Sequence, residues 1–415
     1  MNFIVTAAIH VSAAPTGSSS NLPGILVKEN RLIPATSVLD GKRLSNTKYS
    51  LGRRDSDLSV VLDKLKAQAD SWLIQGPWSV TTSKKLPPGG DIHDYASQAP
   101  YWWPSSNTTD GCPYIQRDGQ RNPESDEYTN HADRGKMFQS SYILSLAWYY
   151  TGQDNYAKHA GDILRTWFIT AETRMNPNLD HAQIIPCQNE GRSIGIIDFS
   201  QGYTSVVDAA AILATGAPGW SKDDQRSFRD WNIQFLQWLN QSDFGKEENA
   251  AENNHGTFAA MQIAALALFT GDKQLATQKV LFGETLINRQ IAANGTQPIE
   301  IARTRSWHYS TLNIVAVTRL AAIGRKVGID IWRYQGPDRQ NLFNAIKFLI
   351  PYATGTAKWE YKELEFHAYA ATDIIHAAAD AGLGDAKQAV EKFEPPPGGD
   401  LWPLRPAPEQ LDAIS

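Results

Sequence analysis

Hydrophobic positions recur at helical spacing along most of the chain. Leu58, Val61, Leu62, Leu65 and Ala69 fall on one face of a 3.6-residue repeat, with Ser56 and Asp57 as start signals, which predicts a helix from about residue 57. Phe138, Tyr142, Leu146 and Tyr149 form one stripe; Tyr156, Ala160, Ile163, Leu164 and Trp167 form the next, across Thr151-Gly152-Gln153-Asp154. Phe258, Met261, Ala265, Leu268 and Phe269, followed by Leu275, Phe282 and Leu286, repeat the design across Thr270-Gly271-Asp272-Lys273. Two hairpins with the same kind of turn predict stacked helix pairs, in an open array or a toroid. Phe228, Trp231, Phe235, Trp238 and Leu239 make a further stripe after Ser221, whose capping partner is Asp224. Helices are also expected at 312–323, 342–349 and 366–381. No comparable alternating pattern predicts strands, so the fold class is all-α.

Four stretches depart from this pattern. Residues 1–14 are a short apolar run ending in small residues and are expected to be a secretory signal peptide. Residues 15–56 carry many turn formers and read as an extended lead-in to a helical domain at 57–393. The tail 394–415, with Pro395-Pro396-Pro397-Gly398-Gly399, reads as a surface wrap or a disordered end. Between Gly76 and Gly135 the chain is rich in Pro, Gly, Asp and Asn, and loops of that length inside a compact domain usually carry function.

Composition narrows the class. Of 415 residues, 42% are apolar and 20% charged, which is globular usage. A net charge of -5 excludes a generally basic nucleic-acid binder. No uninterrupted apolar run reaches about 18 residues, so no membrane span is expected. Thirteen Trp, 15 Tyr and 14 Phe pose a question, since they suit either a bulky core or platforms for sugar rings. The cysteines, Cys112 and Cys187, are either one disulfide or two separate thiols. Neither has zinc-site spacing, and no metal or cofactor is expected. Sequons at Asn107, Asn240 and Asn294 fit an extracellular glycoprotein, expected to act as a monomer.

Polar and aromatic groups concentrate in four segments. The first runs from Asp94 through Tyr101-Trp102-Trp103-Pro104 to Glu124; adjacent Trp102 and Trp103 beside prolines cannot both be core, and a rigid exposed ring stacks on a sugar at low entropy cost. The second holds Gln183 and Arg192, the latter suited to a carboxylate ligand or to a structural salt bridge with Asp198 or Glu190. The third, Glu252-Asn253-Asn254-His255-Gly256-Thr257, precedes a predicted helix whose N-terminus is a ready anion site. The fourth, Glu300 to Ser310, carries Arg303, Arg305, Trp307, His308 and Tyr309, a combination that suits an anionic substrate and a proton-transfer group.

Taken in order, Asp-Tyr-x-Ser-x-Ala-Pro-Tyr-Trp-Trp-Pro, Ala-Gln-x-Ile-Pro with the following Gly-Arg and Gly-Ile-Ile-Asp, Asn-Asn-His, and Arg-Thr-x-Ser-Trp-x-Tyr-Ser resemble the alginate lyase superfamily of uronate polysaccharide lyases. The match runs from about Asp94 to Tyr309. It implies an incomplete (α/α) toroid with a cleft between inner helices and loops. It also implies that Asn254 neutralises the substrate carboxylate, that His255 and Tyr309 are catalytic, and that the family's arginine is Arg303 or Arg305. The spacing from arginine to Tyr309 is shorter than in bacterial poly(β-D-mannuronate) lyases, which leaves glucuronan beside alginate as the implied substrate.

The chemistry explains the residue types. Cleaving a 4-linked uronan by β-elimination removes the C5 proton and expels the C4 oxygen, so the enolate that forms must be stabilised by Asn254, an arginine and the helix terminus. Tyr309 as phenolate needs its pKa, ordinarily near 10, lowered by Arg303, Arg305 or His308. In mannuronate and glucuronate the proton and leaving oxygen share a face, so one tyrosine can serve both steps; guluronate needs a second base, for which His255 is the candidate. Substrate contacts are expected from Asn253, Arg305, Arg192, Gln183, Tyr101, Trp102, Trp103, Trp307 and His308. The competing readings are a toroidal glycoside hydrolase using Glu124 and Asp198, and a non-catalytic polysaccharide binder.

Overall fold

The computed structural model describes residues 33–412, so the expected signal peptide and the first part of the lead-in lie outside the described residues. Fifteen helices follow in chain order: α1 (Gly41–Gly52), α2 (Ser56–Trp72), α3 (Asn130–Thr151), α4 (Asp154–Phe168), α5 (Ile197–Ser200), α6 (Tyr203–Leu213), α7 (Lys222–Gln241), α8 (Asp243–Ala250), α9 (Asn254–Thr270), α10 (Lys273–Gln290), α11 (Pro298–Ile301), α12 (Ser306–Val327), α13 (Leu342–Ala353), α14 (Thr372–Asp380) and α15 (Gly384–Ala389). Four short strands sit in the loops: β1 (Ala96–Gln98), β2 (Trp102–Trp103), β3 (Ile115–Gln116) and β4 (His181–Ile184). They form two small sheets, β1 parallel to β4 and β2 antiparallel to β3.

The helices divide by how much of their circumference is apolar. α9 (NHGTFAAMQIAALALFT) is buried nearly all round, and α6 and α12 are similar, so these belong to an inner layer. α4 and α7 each bury one stripe and face solvent with the rest. Neighbours run α3 to α6, α6 to α9, α9 to α12 and α12 to α14, while α4, α7, α10 and α13 pack outside them. This is the all-α toroid of helical hairpins. The two Thr-Gly turns close their hairpins with Gly152 (φ 73°) and Gly271 (φ 95°), left-handed caps that suit glycine. Ser221 and Asp224 form the reciprocal capping box at the start of α7.

Both ends of the chain depart from expectation. Within the supposed extended lead-in, α1 is a full helix, started by the Asp40 side chain accepting from Lys42 N and Arg43 N. Its mostly polar sequence buries only Gly41, Leu44 and Ser45, too few to register as periodicity. The tail begins on the surface as expected, with Glu394, Pro395, Pro397 and Gly398 exposed and Gly398 O accepting from Gln68 of α2, but from Leu401 it turns inside. Leu401, Trp402, Leu404, Arg405 and Ala407 are buried. Arg319, buried on α12, donates to Pro408 O (2.7 Å), Gln201 O (2.5 Å) and Glu409 (3.0 Å). Arg405 pairs with buried Asp373 at 2.8 Å. Charged residues bring the tail inside because each finds a partner there, a feature that composition hides.

Candidate functional site

The first turns of the inner helices converge on one cleft. Its lining includes His131 from α3, Ile197 and Asp198 from α5, Asn254 and His255 from α9, and His308 and Tyr309 from α12. The long loop adds Gln98, Tyr101, Trp102 and Gln116, the β4 region adds Gln183 and Arg192, and the tail adds Gln410. The cleft has about 1020 Å³ of space, its mouth included. A more open hollow of about 950 Å³ continues it past Asp118 and Asn253, sharing Gln116, Ile194, His255 and Arg303. Cys112 and Cys187 are disulfide-bonded, tying the long loop to the segment after β4.

Tyr309 is buried on α12, and its hydroxyl donates to Tyr101 Oη at 3.0 Å. The Arg303 guanidinium carbon lies 3.8 Å from the centre of the Tyr309 ring. Burial pushes the Tyr309 hydroxyl well above its ordinary value, the neighbouring Tyr101 adds to this, and the Arg303 charge works against both. The expectation of a lowered tyrosine pKa is therefore corrected: one cation does not outweigh the loss of solvent. Arg303 is itself committed, with Nε and Nη2 on Asp118, the shorter bond being 2.6 Å. Burial works to raise the Asp118 carboxyl, but hydrogen bonds from Arg303 and Thr304 hold it below the usual range.

His255 is oriented from behind. Its Nδ1 lies 2.7 Å from Oε1 of Glu248, a buried carboxylate on α8. A proton on Nδ1 facing Glu248 leaves Nε2 as a free base, the logic of a carboxylate-oriented histidine. Asn254 backbone N and Nδ2 both donate to Glu300, at 2.7 and 2.9 Å. His255 N donates to the Asn253 side chain and Gly256 N to Asn253 O. The first-turn donors of α9 are thus occupied, and a role for the bare helix terminus is corrected. At α12, Trp307 N and His308 N likewise donate to Glu363. Gly256 is required by crowding, since a Cβ there would lie 2.0 Å from Ala251 O.

Arg192 keeps spare charge. It donates to Gln183 Oε1 at 2.8 Å, its Nε has no partner, and no carboxylate among the described residues pairs with it. Burial lowers it to about 10, against the attraction of Asp198 and Glu248. Its guanidinium sits 5.8 Å from the Trp102 ring. Gln183 is a spacer, donating to Asp198 at 3.0 Å while accepting from Arg192. Asp198 also accepts from Tyr95 and Ser97, and His131 nearby is held neutral, burial and Arg134 pushing it down to about 4.

Several expected substrate contacts lie elsewhere. Trp307 is 0% exposed, packed on Trp359 and Phe366, with Nε1 donating to His367 O. Each helical residue turns about 100°, so Trp307 and Tyr309, two apart, face different ways. Trp102 and Trp103 alternate on β2: Trp102 lines the cleft, whereas Trp103 donates to Gln120 O and carries Arg117 over its ring. Arg305 donates to Gly119 O and approaches Glu365 at 3.7 Å, outside the cleft lining, so Arg303 is the arginine beside Tyr309. Asn253 caps α9 at the edge of the outer hollow. His308 does line the cleft, its Nδ1 2.9 Å from Asp412 of the tail. Glu124 is bonded to Tyr114 and lies outside the lining, so it does not face Asp198 across the cleft as a hydrolase pair would. Sequence reading missed Glu248, Glu300, Gln98, His131 and Asp412. Glu300, at the head of the fourth segment, Gln98, inside the first, and His131, within the 76–135 stretch, lay where the sequence pointed without being chosen, whereas Glu248 and Asp412 carried no signal.

The alginate lyase family model matches residues 79–359. A crystal structure of an alginate lyase from Bacteroides ovatus is 31% identical, with 90% of this chain and 99% of that chain covered and a TM-score of 0.84. Alginate lyase A1-III from Sphingomonas species A1 is 17% identical over 82% of this chain and 94% of that one, with a TM-score of 0.51. A variant of alginate lyase A1-III complexed with a tetrasaccharide is also 17% identical, covering 92% and 97%, with a TM-score of 0.54. These last two speak for the fold alone. No curated protein matches the chain.

Proposed function

The chain belongs to the alginate lyase family and is a polysaccharide lyase; from that premise we propose that it is a secreted enzyme cleaving 4-linked uronic-acid polymers, poly-mannuronate first and glucuronan second. The observation that carries this reading is the meeting of Asn254, His255, Arg303 and Tyr309 in one cleft, with the unpaired charge of Arg192 beside them. An acidic protein that keeps in its cleft a guanidinium with no direct carboxylate partner is suited to a polyanion. The Cys112–Cys187 disulfide supports an oxidising, extracellular setting.

In the reaction, the C5–H electrons form the C4–C5 double bond and the C4–O bond breaks. The C4 oxygen leaves with the neighbouring sugar and takes up a proton, and the other product carries an unsaturated uronate. Asn254, Arg303 and Arg192 stabilise the charge that builds on the carboxylate as the proton leaves. For mannuronate and glucuronate, Tyr309 removes the proton and returns it to the oxygen, with Arg303 favouring the phenolate. Burial keeps the resting hydroxyl protonated, which suits the acid half directly. For guluronate, His255 takes the proton while Tyr309 acts as acid. The test is incubation with mannuronan, guluronan and glucuronan, following ultraviolet absorbance of the unsaturated product. Absorbance on mannuronan or glucuronan is expected; none on any of the three refutes the proposal.

A further inference from the structure

Asn254 belongs to the cleft lining, and the carbonyl end of its amide is left without a partner. Both donors facing Glu300, the backbone N–H and Nδ2, are taken by that carboxyl, while Oδ1 is buried without a partner. A buried carbonyl without a partner is destabilising, and as an acceptor it repels a uronate carboxylate. Exchanging the two ends of the amide, which have nearly the same shape, turns Nδ2 to the cleft. It also sets Oδ1 against Glu300 Oε2 at hydrogen-bond distance, a contact that holds only if a proton lies between the two oxygens.

We propose that Glu300 is a positioning residue which, as a neutral carboxylic acid, donates to Asn254 Oδ1 and so aims the Asn254 N–H donors at the substrate carboxylate. This rests on the uronan lyase reading and deepens it. Glu300 is 1% exposed, and burial raises its pKa. Opposing that are the hydrogen bonds from Asn254 and the charges of Arg303 and His255. Those two are tempered in turn, Arg303 by Asp118 and His255 by Glu248, and Tyr309 lies against Arg303. A bound uronate adds negative charge beside Glu300, so substrate binding and protonation of Glu300 favour each other.

Four full-length variants test this: Glu300→Gln, Glu300→Ala, Asn254→Ala and the Glu300→Ala/Asn254→Ala double. Gln mimics the neutral acid, its Nε2 donating to Asn254 Oδ1 and its Oε1 accepting from Asn254 N. The Gln variant is expected to keep kcat within about threefold of wild type and to lose the alkaline decline that ionisation of Glu300 imposes. Glu300→Ala is expected to lose on the order of a hundredfold in kcat, as loss of one oxyanion donor does, and the double no more than the worse single. A Gln variant as inactive as Ala, or additive losses in a folded double, overturns the proposal. Difference infrared spectroscopy of wild type against Glu300→Gln reads the acid without substrate. A carboxylic-acid band that titrates above the ordinary glutamate range supports the proposal, and its absence overturns it even if no uronan is cleaved.

Discussion

Replacing Cys112 and Cys187 by serine probes how the cleft walls are held. The bridge spans 75 residues of sequence. Opening a loop of that length returns chain entropy to the unfolded state worth about 4 kcal/mol in the loop-closure treatment. Unfolding entropy of about 2 cal/mol/K per residue, over roughly 380 folded residues, converts this to a Tm loss of about 5 °C. The functional effect follows from what the bridge joins. Tyr101, Trp102 and Gln116 are on one tethered loop and Gln183 and Arg192 flank the other, whereas Asn254, His255 and Tyr309 stand on inner helices. Loosening the loops is therefore expected to raise KM for mannuronan severalfold with kcat within about twofold, a pattern of lost uniform binding. Calorimetry and initial-rate assays of the double serine variant check both values. A Tm within 1 °C of wild type (about a fifth of the expected shift) together with an unchanged KM refutes the argument. A collapse of kcat at constant KM shows instead that the loops hold the chemistry.

Other outcomes follow from particular contacts. Glu248→Gln is expected to cut kcat on guluronan about a hundredfold by removing the carboxylate that orients His255, with mannuronan less affected; equal losses on both contradict the division of labour. Because burial raises the Tyr309 hydroxyl, its phenolate fraction grows about tenfold per pH unit below that pKa. In the Glu300→Gln variant, which lacks the Glu300 ionisation, the mannuronan rate therefore climbs across neutral pH, and a plateau in the histidine range there assigns proton removal to His255. Arg319→Met leaves Glu409 and two carbonyls of the interior without their donor and is expected to cost about 3 kcal/mol, read by denaturant unfolding. Gly256→Ala forces a Cβ against Ala251 O, displacing Asn254 and His255; a loss of activity larger than the loss of Tm is expected.

What the sequence made legible was local. The paired Thr-Gly turns, the stripes of α4 and α7, and the Asn254-His255 and Arg303-Tyr309 segments each announce themselves within a few residues. Their meeting in one cleft depends on inner helices that present their N-termini at the same end, which no short window contains. The same limit explains the aromatics. Trp167 and Trp231 lie on stripes and are core, but Trp307 stands beside functional residues in sequence and away from them in space. Polar context alone does not place a ring: Trp307 and Tyr309 share the start of α12 and only Tyr309 reaches the cleft, and of Trp102 and Trp103, both expected at the substrate, only Trp102 does.

The groups least visible in sequence share a physical property: each works through another residue. Glu248 fixes His255, Glu300 fixes Asn254, Asp118 fixes Arg303, and Asp412 holds His308 from the far end of the chain. These partners come from separate segments, since any carboxylate or amide that reaches suffices, so no fixed spacing marks them. Their cumulative effect is electrostatic. Arg303 spends most of its charge on Asp118, and the α9 and α12 starts spend theirs on Glu300 and Glu363. The guanidinium of Arg192, with no carboxylate partner among the described residues, and the amide of Asn254 are then the groups freest to join Arg303 in meeting an anionic polysaccharide. Arg192→Gln should accordingly raise KM for a polyuronan more steeply than Arg305→Gln, whose head group already lies outside the cleft; the reverse order would place the substrate on the other wall.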